Sequence, residues 1–233
     1  MCHGRVLRPS HPFSALEHFD RGRIEAMRGV VCVVIDGNFV GLVARSEYEA
    51  DQAFAQAERV VRWRRLEPLP HLDERGHWME SHPKQEVDIV VADEGPLDSM
   101  VAFRHEARYS RPHLAHASLG PSCALAEWHD GRLTVHSHTQ NVYPLRAQLA
   151  AALDLSVTQV DVIHAMGAGC YGHNGADDVA LDAALLAHAA GAPVLCRWNR
   201  SDEMTWSPFG PPMLVHLSAA VNYQGRIIEW THD

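Results

Sequence analysis

Val160-Asp161-Val162-Ile163-His164-Ala165, followed by Gly167-Ala168-Gly169-Cys170-Tyr171-Gly172-His173-Asn174-Gly175, reads as a buried strand running into a glycine-rich loop. Apolar residues at helical spacing resume at Val179, so strand, loop and helix follow in close order. The first N–H groups of a helix lack partners inside it, and together with the helix dipole they favour phosphate or oxo groups. Glycines let the main chain come close to such a group. The predicted product is an anion cradle.

Gly167, Gly169 and Gly172 also spell G-x-G-x-x-G after a strand and before a helix, the dinucleotide fingerprint. Two features weigh against that reading. Asp177 and Asp178 fall in the first turn, where a pyrophosphate would sit, and no clear ribose-binding acid closes the next strand about 20 residues on. The flanking segments look like antiparallel hairpins rather than further strand–helix repeats. A nicotinamide-binding enzyme therefore stands only as an alternative.

Working outward, runs 30–35 and 39–44 flank Asp36-Gly37-Asn38, a hairpin signal, and runs 123–128 and 133–139 flank Asp130-Gly131. Ser46 with Glu49 predicts a capping box, and Ala50, Ala53, Phe54, Ala57, Val60 and Val61 share one helical face. Pro144 suits a first helical position, with Leu145, Leu149, Ala152 and Leu153 as the buried stripe. A second helix over about 177–190 should stop at Gly191 with Pro193 behind it. Strands are predicted at 87–92, 100–109, 193–198, 213–223 and 226–230, and Pro68, Pro70 and Pro83 mark a linker.

At 233 residues the chain can bury one sizeable core or two modest ones, and its 46% hydrophobic and 21% charged composition is ordinarily globular. A net charge of -9 argues against nucleic-acid binding, which needs a basic surface. No run of about 18 apolar residues occurs, so no membrane-spanning helix is expected. Met1-Cys2-His3-Gly4 lacks the pattern of a signal peptide. The five cysteines are scattered without a C-x-x-C pair, which points to a reducing, cytoplasmic setting and to no iron–sulfur or zinc site here. Export on a partner's signal is a second route. Of the 17 histidines, His113-x-x-His116 and His136-x-His138 come closest to ligand spacing; packed or solvated histidines are the simpler reading, and no metal ligand is expected from the chain.

An ordered set of motifs carries a resemblance: His138-Thr139-Gln140, Pro144-Leu145-Arg146, the loop from Gly167 to Gly175 with Ala176-Asp177-Asp178, and Arg200-Ser201-Asp202-Glu203. They resemble the molybdenum-cofactor subunit of the xanthine dehydrogenase and aldehyde oxidase family, nearest its nicotinate dehydrogenase and isoquinoline oxidoreductase branch. His3-Gly4-Arg5-Val6-Leu7-Arg8-Pro9, Gly29-Val30-Val31 and 39–44 resemble the family's α/β hammerhead, and 116–124 the start of its first cofactor-binding domain. The resemblance covers nearly the whole chain. It implies an α+β fold: a hammerhead lacking its usual start (1–70), a linker (71–86), and a first molybdenum-cofactor-binding domain truncated at its C-terminal end (87–233).

The implied chemistry is hydroxylation of an electron-poor carbon in an N-heterocycle or aldehyde, with oxygen taken from water. The implied cofactor is molybdopterin with molybdenum, in the cytosine dinucleotide form of bacterial relatives, with no iron–sulfur cluster or FAD in this chain. Gln140 would donate a hydrogen bond beside the metal's oxo ligands. Gly167, Ala168, Gly169, Cys170, Tyr171 and Gly172 would hold the cofactor, and Asn174 would line the substrate site. Cys170 and Tyr171 depart from the common Gly-Gly-Gly-Phe-Gly-Gly loop, and Asn174 stands where purine-oxidising relatives carry glutamate. The family's catalytic glutamate belongs to a later domain, so the isolated chain should be inactive and should need a second chain with the remaining cofactor domain, an iron–sulfur subunit and a small-molecule substrate. A non-catalytic assembly module or a fragment without cofactor is the alternative. Taken without the resemblance, Gln140 is a polar residue after a strand, Arg146 a surface helix residue where the resemblance implies a salt link near the cofactor, Cys170 a small residue in a tight loop rather than an activated thiol at a helix start, Asp177 and Asp178 helix-dipole partners, and Asp202 and Glu203 a solvated turn.

Overall fold

The computed structural model describes residues 1–69, 77–81, 100–167, 169–172 and 177–233; the side chain of His77 is outside this set. The first part carries β1 (Cys2–Leu7), β2 (Ser14–His18), α1 (Arg21–Glu25), β3 (Val30–Asp36), β4 (Phe39–Ala44), α2 (Glu47–Val60) and β5 (Arg62–Arg65). There follow α3 (His77–Ser81), β6 (Val101–Arg111) and a two-residue β7 (Leu114–Ala115). The glycine-loop region is built from β8 (Cys123–His129), β9 (Arg132–Ser137), α4 (Val142–Ala152), β10 (Val160–His164), α5 (Asp178–Ala190), β11 (Val194–Arg197) and α6 (Arg200–Trp206). A two-residue β12 (Phe209–Gly210), β13 (Met213–Asn222) and β14 (Ile227–His232) complete the described strands.

The chain forms two compact units, 1–68 with 115–209, and 69–114 with 210–233. These units cut across the segments expected at 1–70, 71–86 and 87–233. The physical reason is strand pairing: β1 lies inside the larger sheet, parallel to β11 through Cys2↔Val194, His3↔Leu195 and Gly4↔Cys196. That sheet runs β10-β9-β8-β11-β1-β4-β3. Its β10–β9 and β11–β1 pairs are parallel, and its other neighbours are antiparallel. A wound parallel dinucleotide fold is thereby set aside, since its sheet would be parallel throughout its nucleotide-binding half.

Side chains alternate across a strand, so β1 and β4 serve both faces of the sheet. Val6 and Val43 join the core under α5, whereas Leu7, Val40, Leu42 and Ala44 join the core under α2. The two helices therefore cover opposite faces. Both approach on small residues: Ala50, Ala53 and Ala57 of α2, and Ala180, Ala183, Ala184 and Ala187 of α5, are buried. The Ser46 hydroxyl accepts the Glu49 N–H at 3.3 Å, and α5 ends with Gly191 at φ 59°. Both hairpins turn where expected, pairing Asp36 with Phe39 and His129 with Arg132. α4 begins two residues before Pro144, with Asn141 at its N-cap and Ala150 rather than Ala152 in its buried stripe. The predicted strand 87–92 and most of the predicted linker lie outside the described residues.

The smaller unit holds the antiparallel sheet β14-β13-β6. Arg104 and Glu229, aligned across Ala220, pair on one side of it at 2.5 Å.

Candidate functional site

β9 and β10 run parallel, with His136 opposite Ile163 and Ser137 opposite His164. Parallel neighbours end on the same side, so residues 138–141 and the described residues 165–167 and 169–172 leave the sheet together. The two segments are tied by main chain and side chain: Ala165 N–H donates to Ser137 O at 2.8 Å, and His164 Nδ1 donates to Thr139 O at 2.8 Å. Thr139 is fully buried, and its hydroxyl accepts the Asn141 N–H at 3.0 Å. Gln140, by contrast, is exposed. Its Oε1 lies 3.2 Å from the Cys170 sulfur, and that sulfur also accepts the Gly172 N–H at 3.3 Å.

The three glycines of the loop have separate reasons to be glycine. A Cβ on Gly167 would stand 2.6 Å from the Cβ of His138. One on Gly169 (φ 108°) would meet the Tyr171 ring at 2.9 Å, and one on Gly172 (φ 117°) would meet His116 Nε2 at 2.8 Å. Tyr171 itself adopts φ 53°, a left-handed conformation uncommon for a bulky residue. Such strain persists only where surroundings impose it, and it concentrates at functional sites.

A cavity of about 440 Å³ opens beside this loop, lined by Gly167, Gly169, Ser118, Gly120, His136 and His138 among others. Its sheet floor, Cys123, Leu125 and Leu195, belongs to the face opposite α5, because Ala124, Ala126 and Val194 point to the α5 core. The wall at 118–122 is clamped from α6. Arg200 Nη1 donates to Ser118 O and Nη2 to Leu119 O, both at 2.6 Å, and the Ser122 N–H donates to Glu203 Oε2 at 2.8 Å. Asp202 and Glu203 are thus no solvated turn: they are 9% and 1% exposed, on a helix that the sequence pattern does not announce. Burial lifts the Asp202 carboxyl to about 6, against the opposing pull of Arg8 and the Asn199 N–H. Nearby, Asp182 of α5 accepts from Arg8 at 2.5 Å and from Trp198 Nε1 at 2.8 Å, while the Arg8 guanidinium stacks 4.3 Å over the Trp198 ring.

Of the predicted site residues, Gln140, Gly167, Gly169, Cys170, Tyr171 and Gly172 fall in the two segments brought together here. Ala168 and Asn174 lie outside the described residues, as does the join between loop and helix at 173–176. Asp177 occupies the N-cap of α5, buried and without a side-chain capping bond, with its Oδ1 3.8 Å from His138 Nδ1. Arg146 makes no salt link in the described structure; its Nε donates to the carbonyls of Val157 and Val160 at 3.0 and 2.6 Å. His136 and His138 both line the cavity, yet among the described residues no group of three or more potential metal ligands converges. Sequence reasoning misses His164 and Glu203 as supports of the site. Their signal is an ionisable residue ending an apolar strand and an acid pair beside Trp206, neither specific by itself.

No acidic side chain lines the cavity among the described residues, and the glycine main chain at Gly167 and Gly169 and the side chains of Ser118, His136 and His138 face it. This arrangement fits a large prosthetic group held by hydrogen bonds rather than by metal–protein bonds.

Sequence comparison agrees with that class. A profile of the molybdopterin cofactor-binding domain matches residues 82–233. The chain is 36% identical over 239 residues to a subunit of the nicotinate dehydrogenase of Pseudomonas putida, covering 97% of this chain and 20% of that protein. It is 26% identical over 195 residues to the aldehyde oxidoreductase molybdenum-binding subunit PaoC of Escherichia coli, covering 83% of this chain and 26% of that subunit. Among solved structures, quinoline 2-oxidoreductase of Pseudomonas putida 86 superposes with a TM-score of 0.72 at 16% identity, over 99% of this chain and 35% of that one. The aldehyde oxidoreductase of Desulfovibrio desulfuricans gives 0.74 at 16% identity, over 99% and 31%. The chain belongs to the molybdopterin cofactor-binding domain family of molybdenum oxidoreductases. It spans about a fifth to a quarter of the length of the curated relatives it matches.

Proposed function

We propose that this chain is the cofactor-binding part of a molybdenum hydroxylase, acting on an N-heteroaromatic or aldehyde substrate. The observation that carries the reading is Gln140, held against the glycine loop at Cys170 by a 3.2 Å contact beside the 440 Å³ cavity. When bound, the molybdenum cofactor supplies the two-electron oxidation of the substrate carbon, with oxygen from water.

The chain's own share is binding and orientation. Gly167, Gly169 and Gly172 keep main-chain N–H groups approachable, and Ala168, Cys170 and Tyr171 complete the cofactor-binding loop. Gln140 would offer its amide N–H groups to the cofactor, and Asn174 is assigned to the substrate by its place in the motif alone. The cofactor is molybdopterin in its cytosine dinucleotide form. Residues 1–70 correspond, as a sequence segment, to the α/β hammerhead. The family resemblance puts the general base in a later domain, so activity would call for the rest of the cofactor site and for an iron–sulfur subunit that removes electrons. No described helix is long and apolar enough to cross a membrane. On the scattered cysteines we assign the complex to the cytoplasm, with export on a partner's signal as the other route.

Native mass spectrometry of the protein purified gently from its source, with molybdenum counted in the same sample, tests this. The expected result is a complex with about one molybdenum per copy, as one cofactor per site requires. A protein free of metal and partner overturns the reading and leaves a non-catalytic assembly module.

A further inference from the structure

We propose that the Cys170 thiol is a positioning residue that fixes which way round the Gln140 amide is held; this rests on the reading of Gln140 above. A primary amide presents a carbonyl and an NH2 of nearly the same shape, so packing alone chooses poorly between its two orientations. A hydrogen-bond partner of one-sided polarity chooses well. Cys170, whose thiol can both accept and donate, is set to donate toward Gln140 here. Its sulfur accepts the Gly172 N–H at 3.3 Å, leaving the thiol proton to be donated to Gln140 Oε1 at 3.2 Å. With the carbonyl end taken, the Nε2 donors of Gln140 are turned outward.

The geometry that makes this possible is local. Tyr171 at φ 53° and Gly172 at φ 117° fold the main chain so that the Gly172 N–H reaches back two residues to the sulfur. The main chain under Gln140 is fixed independently, by His164 on the Thr139 carbonyl and by Thr139 on the Asn141 N–H. What remains free is the exposed side chain, whose several torsions are costly to order without a partner. A phenylalanine at position 170 could not make this contact, since it has no donor. The cysteine is therefore a change of mechanism for holding Gln140 and more than a smaller filler of the loop.

The test has a readout that needs no cofactor. The S–H stretching band falls in a spectral window nearly free of other protein absorption and moves to lower frequency when the thiol donates. In infrared difference spectra of the full 233-residue chain, Cys170→Ala assigns the band by removing it, and Gln140→Ala is expected to move that band toward the frequency of a free thiol. An unmoved band overturns the contact whatever happens to catalysis. In the assembled enzyme, Cys170→Ala should lower kcat roughly five- to tenfold at unchanged KM, the scale of one hydrogen bond, and Cys170→Ser should restore it to within about twofold. Equal losses for serine and alanine overturn the positioning role while leaving the proposed function intact. A band that moves while Gln140→Ala keeps full turnover overturns the part assigned to Gln140 and, with it, any catalytic consequence of Cys170.

Discussion

Leu186 stands over Gly41 so closely that a Cβ on the glycine would lie 2.6 Å from Leu186 Cδ2. Its other methyl, Cδ1, stands in the same relation to Gly4, also at 2.6 Å, so one side chain of α5 seats on two neighbouring strands. Leu186 is fully buried there. Gly41→Ala must push the helix away or force an off-rotamer leucine, at roughly 1–3 kcal/mol, and Leu186→Ala should cost roughly 2–5 kcal/mol as a cavity. Because both changes act on one space, the double variant should lose less than the sum in thermal melts. Additive losses would show that the contact does not limit the packing.

Gln140→Ala in the assembled enzyme should lower kcat by roughly tenfold or more, since preorganised donors at a reacting centre carry that much and often more. The melting temperature should hardly change, because the side chain is exposed and its main chain is fixed by Thr139 and His164. Steady-state kinetics beside differential scanning fluorimetry decide it. Unchanged turnover would remove Gln140 from the cofactor's surroundings.

Glu203 supplies the acceptor for the buried Ser122 N–H at 2.8 Å, and its own carbonyl accepts from the Ser207 hydroxyl at 2.6 Å. Glu203→Ala strands the Ser122 donor and should cost roughly 1–3 kcal/mol, whereas Glu203→Gln keeps an acceptor and should cost less. Hydrogen exchange at Ser122 is the direct reading, faster in the alanine variant than in the glutamine one. Equal protection in both would mean that the clamp on 118–122 does not depend on this bond.

Asp202 sets a pH dependence of known sign. Burial raises its carboxyl from 3.8 to about 6 in the folded chain, so the folded state holds this proton more tightly than the unfolded state does. The stability it contributes is full below about pH 4 and is lost as pH rises through 6. Asp202→Asn should flatten the fall in stability between pH 4 and 7 by roughly 2–3 kcal/mol, following about 1.4 kcal/mol per pKa unit. Urea titrations at the two pH values check this, and parallel profiles for both proteins would refute it.

Local signals are readable where a few neighbouring residues settle the matter. Asp36-Gly37-Asn38 and Asp130-Gly131 mark their hairpins, Ser46 its helix start and Gly191 its helix stop, because turn and cap chemistry acts over only two to four residues. The pairing of β1 with β11 is not readable, since it joins residues about 190 apart and leaves no periodic trace. For the same reason the compact units do not follow the segments. α6 reads as a solvated turn because two acids argue for exposure, and only the fold shows that Asp202 closes a capping box with Asn199 while Glu203 turns inward. At the site, the motif set draws Gln140 and the glycine loop together before any geometry, but nothing in the chain's pattern indicates that sulfur and amide touch.

The central place of β1 bears on how this protein is made. Its partner β11 leaves the ribosome only after about 190 further residues, roughly 10 to 40 s of synthesis. Until then β1, paired with β4 on one side, has its other flank unfilled, and the glycine loop is already translated but hangs from an open scaffold. A chaperone that shields the first strand, or one that withholds the prosthetic group until β11 is docked, would act in that interval and not after it.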